Sequence, residues 1–284
     1  MQRLFIVLQY LVPHHILSRM TGMLAELRHP LWVKNWVIGQ FVRVFKVDMS
    51  EAEEPEVERY PNFNAFFTRP LREGARPLAD SPIVCPADGA VSQIGAISNG
   101  LLLQAKGRYF TVEELLGGDT ERAAAYQSGN FATIYLSPRD YHRVHMPLDG
   151  TLKATTYVPG KLFSVNGVTA ENVDRLFARN ERLVCHFDTA VGPVAIILVG
   201  AMIVAGIETV WDGQVAPPPA LPVTKNYQSL PEPVTLSRGD ELGRFKLGST
   251  VILLFGEGAI AWEDALQAGT PTRMGEALAA TLRE

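Results

Sequence analysis

Two cysteines, Cys85 and Cys185, are all that the 284 residues contain, too few for a disulfide-stapled scaffold or a cysteine-rich zinc site. They read as small core residues in a reducing compartment. Long apolar runs are missing too: residues 4–12 are apolar but stop at Pro13, well short of the roughly 20 residues of a membrane-spanning helix. No small-residue cleavage site follows that run, so it does not read as a signal peptide. Positive charge is in deficit, with a net charge of −4, which disfavours nucleic acid as a partner. Also absent are a Gly-x-Ser-x-Gly elbow and a His-Glu-x-x-His pair, the marks of ordinary serine hydrolases and of zinc proteases.

What is present begins with a 47% hydrophobic composition, enough for a sizeable core in one large domain with a smaller appendage. The N-terminus is polarised. Residues 1–47 hold Arg3, Arg19, Arg28, Lys34, Arg43 and Lys46 against Glu26 alone, and residues 48–58 are acidic without a base. Over residues 31–46 the spacing predicts a helix with Leu31, Val33, Val37, Ile38, Phe41, Val44 and Phe45 on one arc and Trp32 and Trp36 on its flanks. Basic residues, tryptophans and a broad apolar face suit a helix lying in an anionic bilayer surface. A core-packing helix is the alternative. The acidic run reads as a solvated hinge.

From Tyr60 the pattern becomes strand-rich. A short helix is expected over 63–69, strands at 101–105, 130–136, 150–158, 183–188, 194–199 and 201–209, and a helical segment near 170–179. Thr111 opens a short helix with a capping box. Residues 83–95 read as two strands with Asp88-Gly89 at a hairpin turn, and 212–238 as a long surface loop. Residues 250–255 are apolar and β-branched, a buried strand. The expected class is α+β: a β-rich core of barrel- or sandwich-like sheets over residues 60–284, preceded by amphipathic helices in residues 1–59.

Candidate chemistry centres on Gly248-Ser249, where a glycine-permitted turn meets that stiff strand. A bare Gly-Ser pair is commonly only a turn. His142 and His145, three apart, fit one side of a turn or short helix, as a metal pair, as two proton-transfer groups, or as two solvent-facing side chains. A metal needs a third ligand, for which Asp88 is available. For nucleophilic chemistry, Asp88, His145 and Ser249 supply an orienting acid, a base and a hydroxyl in chain order.

Taken together, Phe63-Asn-Ala-Phe-Phe-Thr-Arg69, Pro86-Ala-Asp-Gly89, Leu136-Ser-Pro-Arg-Asp-Tyr-His-Arg-Val-His145, Pro159-Gly-Lys-Leu-Phe-Ser-Val-Asn166, Phe177-Ala-Arg-Asn-Glu-Arg182 and Leu247-Gly-Ser-Thr250 resemble the ordered motifs of the phosphatidylserine decarboxylase proenzymes. The resemblance implies a precursor that cleaves itself between Gly248 and Ser249 into a β chain, 1–248, and an α chain, 249–284. Ser249 would become a pyruvoyl cofactor that converts phosphatidylserine to phosphatidylethanolamine and carbon dioxide. It further implies Asp88 orienting His145 as the base for cleavage, His142 as proton donor or holder of the substrate carboxylate, and Val165 and Asn166 lining the pocket. The expected setting is the cytoplasmic face of the inner membrane, as a peripheral protein and a candidate homodimer. Two rival readings stay open: a non-catalytic β-domain carrier or binding module, and a metal-dependent hydrolase using Asp88, His142 and His145.

Overall fold

Seven consecutive residues, Ser249–Phe255, are buried along their whole length, as an uncharged, β-branched run requires of a strand covered on both faces. In this computed structural model, which describes residues 6–7, 9–10, 14–202, 206–215, 221–246 and 249–282 (backbone alone for His15 and Arg19), that strand lies at the centre of the largest sheet. The strands that build the site are β1 (Gly89–Ala96), β2 (Asn130–Leu136), β3 (Arg143–His145), β4 (Gly150–Val158), β5 (Arg182–Thr189), β6 (Gly192–Gly200), β7 (Gly206–Thr209), β8 (Glu241–Lys246) and β9 (Ser249–Phe255). Among the described residues the main sheet has nine strands, running from Val223–Asn226 through β4, β5, β6, β9, β2 and β1 to Pro271–Thr272, with Thr235–Leu236 also on β4. All its pairings are antiparallel.

Strand alternation sorts the side chains into two cores. Val251, Leu253 and Phe255 face one cluster with Ile134, Val194, Ile196 and Leu198. Ile252 and Leu254 face another with Phe131, Ala195, Ile197 and Val199. Each of these wholly buried leucines contributes about 1.5–3 kcal/mol by leaving water, so the N-terminal end of β9 is anchored by a fully buried strand. A second sheet, Gly213–Gln214, β7, β8 and β3, brings β8 antiparallel to β3.

Helices α1 (His14–Ala25), α2 (Leu31–Phe45) and α3 (Phe63–Phe67) form a small third core in which Ala25, Ile38, Val47, Tyr60, Phe66 and Phe67 are buried together. Lys34, on the inward side of α2, donates to the carbonyls of Glu58 (2.9 Å) and Tyr60 (2.5 Å). The outward side leaves Trp32 75% and Trp36 63% exposed, alongside Met23, Leu24, Leu27 and Leu31. Between α1 and α2 runs an apolar groove of about 430 Å³, lined by Leu24, Leu27, Val33, Val37, Phe41 and Phe63 among others. Among the described residues no helix is long and apolar enough to cross a membrane.

The structure revises several expectations. Residues 83–95 do not form a hairpin: Ile83–Val84 pairs with Ala277–Thr281 in a three-stranded sheet, while β1 pairs with β2. Gly89 is needed for close approach instead, since a Cβ there would stand 2.2 Å from the Tyr135 carbonyl oxygen. The segment 212–238 carries short edge strands at Gly213–Gln214, Val223–Asn226 and Thr235–Leu236. Helical structure near 170–179 is split into Gly167–Asn172 and Leu176–Arg179. Of the expected 201–209 strand, residues 203–205 lie outside the described residues, and Gly206–Thr209 forms a strand. Thr111 does close its capping box with Glu114. The acidic run is not simply solvated, because Glu51 forms ion pairs with Arg76 and Arg273.

Candidate active site

Ser249 opens β9, opposite Leu136 on β2 and Gly200 on β6. Its hydroxyl is buried and has no hydrogen-bond partner among the described residues, and the same holds for Thr250 Oγ1. An unpaired hydroxyl in a dry interior costs about 1–3 kcal/mol, and such exceptions call for a functional account. Gly248 and Leu247 lie outside the described residues.

The Ser137–Asp140 turn leads from the end of β2 into the histidines. It is closed by the Asp140 carboxylate, which accepts from the Ser137 backbone N–H at 2.7 Å. His142 and His145 do not share one side of a turn or helix as the spacing predicts. His145 ends strand β3 with His142 just before it, and an odd offset in extended chain sends side chains to opposite faces. The His142 ring packs on Phe67, centroids 4.0 Å apart, while that of His145 lies against Tyr141.

Carbonyl oxygens can only accept, and this fixes both tautomers. His142 Nδ1–H donates to the Asp140 carbonyl at 2.8 Å, leaving Nε2 with a lone pair, buried and without a partner among the described residues. Burial pushes its pKa down to about 3, so the ring is neutral at any working pH. His145 Nδ1–H donates to the Gly239 carbonyl at 2.8 Å, and its Nε2 accepts from the Tyr141 hydroxyl at 3.0 Å. Burial also pulls His145 below the ordinary imidazole value; the Gly239 carbonyl and the charges of Glu241 and Asp88 offset this only in part. His145 is therefore an unprotonated base at neutral pH.

Asp88 reaches this neighbourhood because His145 N–H donates to the Pro86 carbonyl at 2.8 Å. Its carboxylate, however, is held by Arg76 and not by His145. Arg76 Nε lies 3.0 and 3.2 Å from the two Asp88 oxygens and Nη2 lies 2.5 Å from Oδ2, with the Met274 backbone N–H adding a bond of 2.8 Å. Arg76 Nη2 also reaches Glu51 at 2.6 Å. The acceptor that orients His145 in this structure is Gly239, where the motif order suggests Asp88.

A family model described as phosphatidylserine decarboxylase matches residues 63–280, and one described as PSD matches residues 4–46. The chain belongs to the phosphatidylserine decarboxylase family. It is 60% identical over 279 residues to the phosphatidylserine decarboxylase proenzyme of Azotobacter vinelandii, covering 97% of each chain. To the proenzyme of Ectopseudomonas mendocina it is 59% identical over 280 residues, 98% of each chain. To that of Pseudomonas aeruginosa strain LESB58 it is 58% identical over 280 residues, 98% of this chain and 96% of the relative.

Within this family member the 159–166 run lies near the start of β9. Asn180 holds it there: its Nδ2 donates to the carbonyls of Phe163 and Gly200, each at 2.9 Å, and its Oδ1 accepts from Phe163 N–H at 3.1 Å. Gly200 is the strand partner of Ser249. Val165 is buried in the second core. Asn166 caps the Gly167–Asn172 helix, its Oδ1 accepting from Thr169 N–H and Oγ1. Among the described residues no group of three or more His, Cys, Asp or Glu side chains is placed to hold a metal ion. Sequence reasoning missed Arg76, Tyr141, Gly239 and Asn180. Tyr141 and Asn180 sit inside quoted motifs and were open to notice, whereas Arg76 and Gly239 reach the site through long-range contacts that no local pattern announces.

Proposed function

We propose that this chain is a self-processing, pyruvoyl-dependent phosphatidylserine decarboxylase that works at a membrane surface. The observation that carries the reading is the Ser249 hydroxyl, buried at the head of the central strand without a partner among the described residues, in a member of this family. The donor set fits such a group. Among the described residues nothing holds the Ser249 hydroxyl in place, and two unprotonated imidazoles, His142 and His145, lie just before and at the end of β3, after the turn that leaves its neighbouring strand β2.

For cleavage, His145 Nε2 takes the proton from Ser249 Oγ, which requires Tyr141 to turn away or to relay that proton. The Ser249 alkoxide attacks the carbonyl of Gly248, and the acyl group moves from nitrogen to oxygen. Loss of the Ser249 α-proton expels the Gly248 carboxylate, which becomes the end of the β chain; water then replaces the nitrogen as ammonia and leaves a ketone at residue 249. Asp88, held by Arg76, supplies negative charge near the His145 ring as it becomes cationic. In the decarboxylation, the pyruvoyl carbonyl supplies an electron sink for the pair released with carbon dioxide. His142 Nε2 carries a lone pair and no proton, so in this reading it relays a proton from the substrate amino group to the carbon left behind without resting as a cation.

Residues 1–59 are the membrane-associating part and 60–284 the catalytic part in this reading. The exposed Trp32, Trp36, Met23, Leu24 and Leu27 support insertion into the bilayer interface, where tryptophan rings and apolar side chains find a favourable boundary. The test is mass spectrometry of the denatured protein combined with a carbon dioxide assay on phosphatidylserine vesicles. Two fragments divided at Gly248–Ser249, with a carbonyl at the new amino end, are expected from the wild type, and a single 284-residue chain from Ser249→Ala. An intact wild-type chain that still decarboxylates the lipid would refute the proposal. Activity lost to a chelator would favour the metal-dependent alternative.

A further inference from the structure

Three arginines are conspicuous for their burial, and two are saturated. Arg182 donates to the carbonyls of Leu115, Ala178, Asn180 and Glu114, and Arg76 to the carboxylates of Asp88 and Glu51. Arg69 differs. It is 3% exposed, its Nε has no partner among the described residues, and Nη2 makes one long contact of 3.4 Å to the Arg139 carbonyl. Beneath it lies the Phe66 ring, 5.4 Å from the guanidinium carbon, and it has no ion pair among the described residues. A guanidinium taken out of water without an anion is costly, so its fork is held ready for one.

Its position says where that anion comes from. Arg139 belongs to the turn that follows Leu136, the strand partner of Ser249. His142, whose Nε2 is likewise orphaned, feels the Arg69 charge. Arg69, His142 and Ser249 thus all meet the 136–142 segment: Arg69 through the Arg139 carbonyl, His142 through the Asp140 carbonyl and Ser249 through its pairing with Leu136.

We propose that Arg69 is the seat of the substrate's phosphodiester. The headgroup offers two anions, and the chemistry separates them. An ion pair to the carboxylate would have to be broken as carbon dioxide leaves, which would stabilise the ground state over the transition state and slow the reaction. The phosphodiester is unchanged throughout, so a cation on it anchors substrate and product alike, and a planar fork matches its two oxygens. Arg69 is in this account a binding residue acting uniformly along the reaction.

This inference rests on the decarboxylase reading, and one experiment separates their failures. In processed wild-type protein labelled with 15N-arginine, the Arg69 Nε–H resonance is followed while glycerophosphoethanolamine, which has the phosphodiester and no carboxylate, is added. A shift that saturates is expected, and free serine, which has the carboxylate alone, should leave the resonance unmoved. In parallel, Arg69→Gln should raise both the KM for short-chain phosphatidylserine and the Ki of short-chain phosphatidylethanolamine about ten- to a hundredfold, with kcat held and Arg69→Lys recovering part of the loss. A resonance indifferent to glycerophosphoethanolamine overturns the assignment even if the variants fail to fold. So does a raised KM beside an unchanged Ki, which would move Arg69 to the carboxylate. A wild-type chain that never splits at Ser249 would sink the decarboxylase reading itself.

Discussion

Replacing Arg76 by Met removes the guanidinium that holds the Asp88 carboxylate. The Arg76 side chain is 5% exposed and that of Asp88 9%, so water cannot readily take over the lost bonds. Three nitrogen–oxygen contacts to Asp88 and one to Glu51 disappear together, and two carboxylates remain close by without their shared cation. Removing one partner of a buried pair costs about 3–5 kcal/mol, which for a chain of this size lowers the melting temperature by on the order of 10 °C. The hydrogen bond from Arg76 is the main reason the Glu51 pKa lies below the usual carboxylate value. That part of the stability is present above the unfolded-state pKa and is lost as pH falls through the folded one; the variant's deficit should therefore shrink in acid. Thermal melts at pH 7.5 and pH 4 measure both effects. Adding Asp88→Asn to Arg76→Met should restore part of the loss, because a buried carboxylate without a cation is worse than a neutral amide. A single variant that melts within a degree of the wild type, or a double variant less stable than the single, would refute the reasoning.

His142→Ala should still cleave, as judged by fragment masses, while its kcat on phosphatidylserine falls about a hundredfold; normal turnover would remove His142 from the chemistry. Self-cleavage should be flat above about pH 6.5 and decline in acid, since His145 must be unprotonated and its pKa is pulled below the free-imidazole value; an acid limb above that value, read from timed gels, would contradict the burial argument. Burial also pushes His186 down to about 4, so the unfolded chain binds its proton first and stability drains away as pH falls below about 6.5. His186→Leu should therefore flatten melting temperature against pH between 6.5 and 4.5, and an unchanged slope would exclude this contribution. Trp32→Ala with Trp36→Ala should weaken co-sedimentation with anionic vesicles about tenfold or more, with cleavage unaffected; undiminished sedimentation would place the bilayer contact elsewhere.

How much of this was legible in advance depended on the range of the interaction involved. The central strand could be read because burial on both faces demands a continuous apolar run, and residues 250–255 provide one. The Thr111 cap could be read because its partner lies three residues away. The Asp88-Gly89 pair misled, because the same dipeptide serves a hairpin turn and a close crossing, and only the Tyr135 carbonyl decides between them. His142 and His145 were visible as a pair, but their faces depended on whether the chain there was coiled or extended. That was decided by β3 pairing with β8, almost a hundred residues downstream. Arg76 could not be found locally, since Glu51 and Asp88, which give it meaning, flank it at distances no periodicity records.

The N-terminal helices are tied to the Ser249 end of the sheet by contacts of a kind that also depends on the fold. Gln9 accepts from Ser164 N–H at 3.0 Å, and the rings of Tyr10 and His14 meet Phe163 edge-on. Asn180 in turn locks Phe163 to Gly200, beside Ser249. Asn62 and Asn64 donate to Glu26 at the foot of α1, and α3 places Phe67 on His142. The exposed tryptophans and leucines of α1 and α2 are therefore linked to both sides of the site through a few side chains. Loosening the helices should consequently disturb more than vesicle binding: Asn180→Ala, which leaves every exposed apolar side chain in place, should lower turnover on vesicles and on short-chain soluble lipid alike. The tryptophan variants should affect vesicle turnover alone. If both kinds of variant fail only on vesicles, the helices serve as an anchor and the contacts through Phe163 carry no part of the site's geometry.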